Sequence, residues 1–340
     1  MYADRLWPLV RRAGQYLLVL WAAVTLNFAL PHLAPGDPVV YLYGGEEGNL
    51  APEYVEQIRA EYGLDHSILE QYLSFWTGLL RGDLGMSVSM NRPVFDVLMD
   101  KLPWTVALVG LGLLFAAVLG TFLGTWAAWR RGSRRETATV TATLAVDSMP
   151  GFWVGMILIA IFSVGLGWFP SYGAATIGSS GWAWFGEVIS RLVLPVATLT
   201  IAGVGGFFLL SRASTVVVLD EPYLRLARAK GLRERQVALG HAMRNALLPV
   251  FTTLTLAVGT MLSGAVVVET VFSYPGLGKL TYDAVTTRDY PLLQGAFLLT
   301  TIGIIGANII ADLTYPLIDP RVRRRRHETA ESELQEAVTP

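Results

Sequence analysis

Six stretches of the chain are apolar over about 20 residues, the length needed to cross roughly 30 Å of hydrocarbon as a helix. They run from about Ala13 to Leu33, Leu102 to Trp129, Thr137 to Leu166, Leu192 to Leu210, Leu247 to Val268 and Leu292 to Tyr315. The third is long and is interrupted by Asp147 and Pro150. The pattern predicts an all-α, polytopic membrane protein with six transmembrane helices. An even number of spans puts both termini on one side of the membrane. The polar stretches choose the side, because 19 of the 26 Lys and Arg fall in four places: before the first span, in the short loop Arg130–Arg135, between Arg212 and Arg244, and in the run from Arg321 to Arg326. The excess of positive charge on cytoplasmic loops places both termini in the cytoplasm.

The first span has a longer apolar core than the 7–15 residues of a secretory signal peptide, and no small-x-small cleavage site comes after it. It is expected to be an uncleaved anchor. The expected organisation is a cytoplasmic N-terminus (residues 1–12), a membrane domain (13–326) with a large outer loop (about 34–101) and a cytoplasmic loop (about 212–246), and a polar tail (327–340) expected to be disordered. Within the outer loop, Pro52 to Gly63 reads as a helix, with Tyr54, Val55, Ile58 and Tyr62 near one face. That helix either packs on the membrane domain or offers a docking surface to an external partner.

Composition narrows the chemistry. Apolar residues make up 53% of the chain and charged residues 16%, below the roughly 25% of soluble domains. There is no cysteine, hence no disulfide framework or thiolate site, and the four histidines lack metal-ligand spacing. The net charge of −1 gives no sign of nucleic acid. The turn-rich Pro275–Leu280 is weakly similar to a phosphate-binding loop, but it lacks the leading glycine and has Leu280 where Ser or Thr would reach magnesium. ATP hydrolysis is therefore not expected in this chain. An intramembrane protease is disfavoured by the absence of H-E-x-x-H. An ion-coupled secondary transporter would carry inverted repeats and several midplane charges, and only Asp147 fits.

The most distinctive polar stretch lies between the fourth and fifth spans. Asp220 to Pro249 is basic and helix-prone, and its charges exclude it from hydrocarbon. Asp220 is expected to cap a first helix that opens on Pro222. Gly231 is expected to end it in the left-handed conformation, before a second helix from about Arg233 to Ala246. Small residues (Ala227, Ala229, Gly231) would let another protein approach this elbow closely. Elsewhere, Asp147 and Ser148 either cap the second half of a helix broken at Pro150 or line a pathway. Glu269 sits at the outer end of the fifth span, where it could face water, and is a candidate gate or partner contact. Gly120/Gly124, Gly151/Gly155 and the cluster Gly203, Gly205, Gly206 are expected to support close helix packing or a sliding contact.

Taken together, these motifs resemble the membrane subunit of type I ABC importers, in the dipeptide/oligopeptide permease family. The matching segments are Y-L-R-L-A-R-A-K-G-L-R-E-R (Tyr223 to Arg235) with R-N-A-L-L-P (Arg244 to Pro249), L-A-P-G-D-P (Leu33 to Pro38), G-D-L-G-M-S (Gly82 to Ser87), D-S-M-P-G-F (Asp147 to Phe152), E-T-V-F-S-Y-P-G-L-G (Glu269 to Gly278) and D-L-T-Y-P-L-I-D-P-R (Asp312 to Arg321). The chain departs from the general importer motif: Arg225, Leu226 and Ala227 stand where that motif has Glu-Ala-Ala. The resemblance implies that Tyr223, Ala227, Arg228, Ala229, Lys230, Gly231 and Leu232 couple the chain to a cytoplasmic ATPase, and it makes Asp147, Glu269 and Pro249 candidates for gate or pathway. It further implies a second homologous permease, two ATP-binding subunits that hold ATP and magnesium, an extracytoplasmic binding protein, and a bacterial or archaeal inner membrane. Peptides are the expected substrate, with nickel chelates, oligosaccharides and glutathione as alternatives.

Overall fold

The computed structural model describes residues 3–33, 52–61, 65–176 and 178–318. The polar tail and most of Leu33–Pro38 lie outside the described residues, as do the side chains proposed for one face of the Pro52–Gly63 helix. The described chain is helical apart from one two-stranded hairpin. Its elements are α1 (Ala3–Leu33), α2 (Pro52–Glu61), α3 (Ile68–Leu80), β1 (Met86–Ser87), β2 (Arg92–Pro93), α4 (Val94–Trp129), α5 (Arg134–Asp147) and α6 (Gly151–Leu158), which runs on into a π-helical turn (Ile159–Gly165). They continue with α7 (Gly181–Leu219), α8 (Pro222–Ala229), α9 (Glu234–Gln236), a second π-helical turn (Val237–Ala242), α10 (Met243–Val271), α11 (Leu277–Thr286) and α12 (Tyr290–Ile318).

Among the described residues three helices are long and apolar enough to cross a membrane alone: α4, α7 and the Tyr290–Ile310 part of α12. The pair α5 and α6 qualifies together but is bent by 96° at the break, where the sequence anticipates an interruption. Pro150 explains the break: it cannot continue the hydrogen-bond ladder of α5, and its ψ of 135° turns the chain out before α6 begins. α1 and α10 are also apolar, over Gly14–Ala29 and Pro249–Gly259 among the described residues. At 39 residues α7 is about 58 Å long at 1.5 Å per residue, so it outruns the apolar stretch read from sequence at both ends.

The chain divides into two compact units. The first comprises the residues up to Ala107 with Ser273–Ile305. Its core is built by the start of α4 (Val94, Val97, Leu98), α11 (Leu277, Leu280, Ala284) and the start of α12 (Leu292, Ala296). α11 has Gly276 as its N-cap and so no capping side chain of its own. The Thr105 hydroxyl of α4 accepts the Leu277 N–H at 2.7 Å instead, which satisfies one of the orphan donors of the first turn. α1 joins the unit through Asn27, whose side chain donates to the Gln294 carbonyl at 2.6 Å. The hairpin is fastened by the fully buried Asp289. Its Oδ2 accepts from Ser87 Oγ (2.6 Å), Ser89 N (2.9 Å) and Ser89 Oγ (2.7 Å), while its Oδ1 accepts the Leu292 N–H at 3.1 Å in the first turn of α12.

The second unit comprises Leu108–Phe272 and the residues from Gly306. Here α4 packs against α7 at glycines. A methyl group on Gly120 would lie 2.6 Å from Phe207 Cβ and 2.7 Å from the Val204 carbonyl oxygen, and Gly124 is as closely approached by the backbone of Phe208 and Arg212. Buried hydroxyls join the same two helices: Thr125 and Ser211 lie 3.2 Å apart, and Ser211 also donates to the Thr121 carbonyl at 3.2 Å. In hydrocarbon such small-residue contacts replace the hydrophobic effect as the source of helix association. Gly155 on α6 meets Phe272 and Thr198, whereas Gly206 faces open space.

Candidate functional site

The elbow after α7 is built from local signals. α7 stops at Leu219. Asp220, expected to cap the next helix, is instead the αR residue that closes α7; its carboxylate pairs with Arg131 at 3.6 Å. The N-cap of α8 is Glu221, in extended conformation and with no side-chain capping bond. Pro222 takes the first helical position, where its missing N–H costs nothing and its fixed φ fits the helix. α8 then runs for eight residues, and Gly231 ends it with φ +79°. The Gly231 N–H donates to the Arg228 carbonyl at 2.9 Å and the Leu232 N–H to the Ala227 carbonyl at 3.4 Å. This is the paired closure of a Schellman motif, which requires a left-handed residue between the two donors.

α8 has two faces. One buries Leu224 and Ala227 with Val237, against Trp129, Val218, Leu219 and Tyr223. Ala227 is therefore not part of the open surface anticipated for it: it is only 7% exposed because it fills the contact between α8 and the turn after it, and Tyr223 is half-buried against the same cluster. The other face presents Arg225, Leu226, Arg228, Ala229 and Lys230, followed by Gly231 and Leu232, all exposed. Leu226 is 57% exposed and is not among the residues to which the resemblance gives a coupling role. The signal for it is that it falls out of phase with the apolar stripe of Leu224 and Ala227. The site is a knob: two open leucines, two small residues, and a basic rim. Arg228 pairs with Glu234 at 2.9 Å and lies over the Trp129 ring at 5.8 Å, which holds the two arms of the elbow together. Exposed ion pairs of this kind contribute little stability, so their effect is on side-chain placement.

Beneath the knob, the loop after α4 forms a platform that no sequence motif assembles. Arg130 stacks on Trp126 at 4.7 Å. Ser133 caps α5 by accepting the Glu136 N–H at 3.2 Å. Glu136 accepts the Gly132 N–H at 2.6 Å and pairs with Arg212 of α7, whose Nε lies 3.1 Å away. The second arm of the elbow starts at Arg233, whose N–H donates to Gln236 Oε1 at 3.1 Å. The single helix expected over Arg233–Ala246 is instead α9, a π-helical turn and the start of α10.

The candidate gate residues do not converge on the elbow. Asp147 is the last residue of α5 and is exposed. It does not cap α6: no side chain caps that helix, and the Ser148 hydroxyl turns back to donate to the Leu144 carbonyl at 2.8 Å. The Asp147 carboxyl instead lies directly against Gly205 of α7, in the space a side chain there would occupy. Glu269, placed by the sequence at a span end where it could face water, is fully buried near the end of α10. Pro249 is exposed and lies inside α10.

With this geometry established, the chain matches two family models: the binding-protein-dependent transport system inner membrane component over residues 120–324, and the N-terminal region of the same membrane components over residues 6–109. The chain belongs to this family, and it is a multi-pass inner-membrane component of a transport system. It is 37% identical over 334 residues to the di/tripeptide transport system permease protein DppB of Pseudomonas aeruginosa, covering 94% of this chain and 99% of that one. It is 36% identical over 337 residues to the dipeptide transport system permease protein DppB of Escherichia coli K12, with the same coverage. Among solved structures it is similar to a chain of the MetNI methionine ABC transporter in an inward-facing conformation, with a TM-score of 0.54, 16% identity, and coverage of 66% of this chain and 96% of that one. That likeness shows a shared fold. The family read from the motifs is the one the comparisons give.

Proposed function

We propose that this chain is a permease subunit of a type I ABC importer for small peptides, with six spans and both termini in the cytoplasm. The observation that carries the reading is the elbow: a helix-glycine-helix knob closed by a Schellman motif, whose open face of leucines and basic rim takes no part in the chain's own core. A groove on an ATP-binding subunit suits such a knob. ATP and magnesium belong to two such subunits, and a second homologous permease completes the membrane pathway. An extracytoplasmic binding protein delivers the substrate. ATP binding closes the ATP-binding subunits, the elbow moves with them, and α7 and α10, which leave the elbow in both directions, carry that motion to the pathway. The names of the relatives at 36–37% identity support peptides.

The test is reconstitution of the chain with a second permease, ATP-binding subunits and a binding protein of the same transport family. Labelled dipeptide should accumulate in vesicles only with ATP and the binding protein present. Uptake driven by a proton or sodium gradient without ATP would replace this reading with a secondary transporter.

A further inference from the structure

α3 is amphipathic in an unusual way. Its Ser67–Glu70 capping box fixes its first turn: Glu70 N–H donates to Ser67 Oγ at 3.4 Å and Ser67 N–H to Glu70 Oε2 at 3.0 Å. With 13 residues it is about 20 Å long at 1.5 Å per residue, too short to cross a bilayer. At 100° per residue its apolar side chains occupy one continuous arc, and Glu70, Gln71, Ser74 and Thr77 fill the other. Only half of the apolar arc is used within the protein. The Tyr72 and Phe75 rings pack on Phe28 of α1 at 5.2 and 5.8 Å, and the Tyr72 hydroxyl is 2.8 Å from that of Thr25. The other half is open, with Leu69 67% exposed, Leu73 55% and Leu80 80%, and Ile68 in the first turn is open as well at 66%.

The point of attachment of α3 indicates what covers those leucines. Thr25 and Phe28 lie at the end of the apolar stretch Gly14–Ala29 of α1. That stretch itself leaves Leu17, Leu18, Trp21 and Leu26 uncovered, as a lipid-facing helix does. The open arc of α3 thus begins where the lipid-facing surface of α1 ends. We propose that α3 is an interfacial helix. It lies in the bilayer surface at the end of α1, with Leu69, Leu73 and Leu80 among the upper acyl chains and Glu70, Ser74 and Thr77 toward water. A helix of this kind sits roughly 5–10 Å into the boundary between headgroups and acyl chains. α3 has no basic residue within it and one, Arg81, at its C-cap, so its main partner is the apolar part of the phospholipid rather than anionic headgroups. Its anchorage would fix the start of the hairpin and α4, which come next in the chain.

The cysteine-free chain allows a direct test. Single spin labels at Leu73→Cys and Ser74→Cys are introduced, and the complete transporter is reconstituted in phosphatidylcholine vesicles. Accessibility to oxygen, which enters lipid, and to a water-soluble nickel chelate is then measured. The Leu73 label should be relaxed by oxygen and shielded from nickel, at a depth of roughly 5–10 Å, and the Ser74 label should show the reverse. The pair Leu80→Cys and Thr77→Cys repeats the comparison if the first pair disturbs assembly. Equal nickel accessibility at both positions of a pair would place the arc in water and overturn the proposal. Shielding of the leucine label from both reagents would overturn it in favour of a protein partner. Adding phosphatidylglycerol should leave the depth unchanged; a depth that develops only with anionic lipid would contradict the apolar mechanism.

Discussion

Gly231 is where backbone geometry and proposed coupling meet most closely. Its φ of +79° is occupied freely only by glycine, and the two bonds that close α8 depend on it. A β-branched residue in this region is penalised by about 1–2 kcal/mol. Asparagine visits the same region at lower cost because its short polar side chain bonds locally. A side chain at Gly231 would meet nothing within 4 Å in this chain, so no internal clash confuses the comparison. A local cost of about 1–2 kcal/mol shifts the closed-to-open equilibrium constant of the elbow by a factor of roughly 5–30. Gly231→Val should therefore lower both substrate-stimulated ATP hydrolysis and uptake, by at most about that factor, while Gly231→Asn stays much closer to wild type. Both variants should still insert and assemble, because the cost falls on closure of the exposed elbow. The assay is ATPase activity and dipeptide uptake in vesicles, with co-purification of the ATP-binding subunits as a control on assembly. Equal loss in Val and Asn would mean that bulk at the surface matters and the left-handed backbone does not. Wild-type activity in Gly231→Val would refute the reasoning altogether.

Three further outcomes rest on the packing. Gly120→Ala should lower the thermal midpoint of the purified transporter, because overpacking costs of about 1–3 kcal/mol exceed the roughly 0.5–1 kcal/mol gained in helix propensity; Gly110→Ala, with nothing within 4 Å, should not. Asp289→Ala should leave the buried Ser87 hydroxyl without its acceptor, at a cost of about 1–3 kcal/mol, read as faster hydrogen exchange across Met86–Pro93. Glu70 is held below its usual carboxylate pKa of 4.5 chiefly by the Ser67 hydroxyl and then by the Ser67 N–H. Its contribution to the start of α3 is thus complete above that value and lost as pH falls through the lowered one, so the protection factor at the first turn of α3, corrected for the intrinsic pH dependence of exchange, should be unchanged from pH 8 to 6 and fall only in strong acid.

Much of the fold is visible in the sequence because membrane helices announce themselves by length and apolarity, and the break at Pro150 and the left-handed Gly231 by residue type. The helix Pro52–Glu61 is marked by its proline. The errors share a cause. Asp220 reads as a cap, and Asp147 and Ser148 as one of two alternatives read as caps, for the helices that come after them, on the strength of cap preferences that do not say which of two adjacent helix ends a polar residue serves. Asp220 closes α7, and Ser148 bonds back into α5. Ala227 groups with the open small residues in the motif because a local pattern cannot show that Trp129, far earlier in the chain, supplies the other wall of its contact. The same separation hides the Glu136–Arg212 pair and the hold of Asp289 on Ser87, both made only by tertiary packing. Glu269 belongs in water by its position at a span end, whereas the structure buries it.

The central claim is that the open face of α8 seats in an ATP-binding subunit. A photo-crosslinking residue at Leu226, which is exposed and not needed for the elbow's own core, tests it most directly, with the same residue at Thr77 of α3 as a control. In vesicles holding the complete transporter, the Leu226 position should give an adduct with the ATP-binding subunit that strengthens or weakens when ATP is added, and Thr77 should give none. A transporter that assembles and hydrolyses ATP yet yields no such adduct from Leu226 would contradict the account.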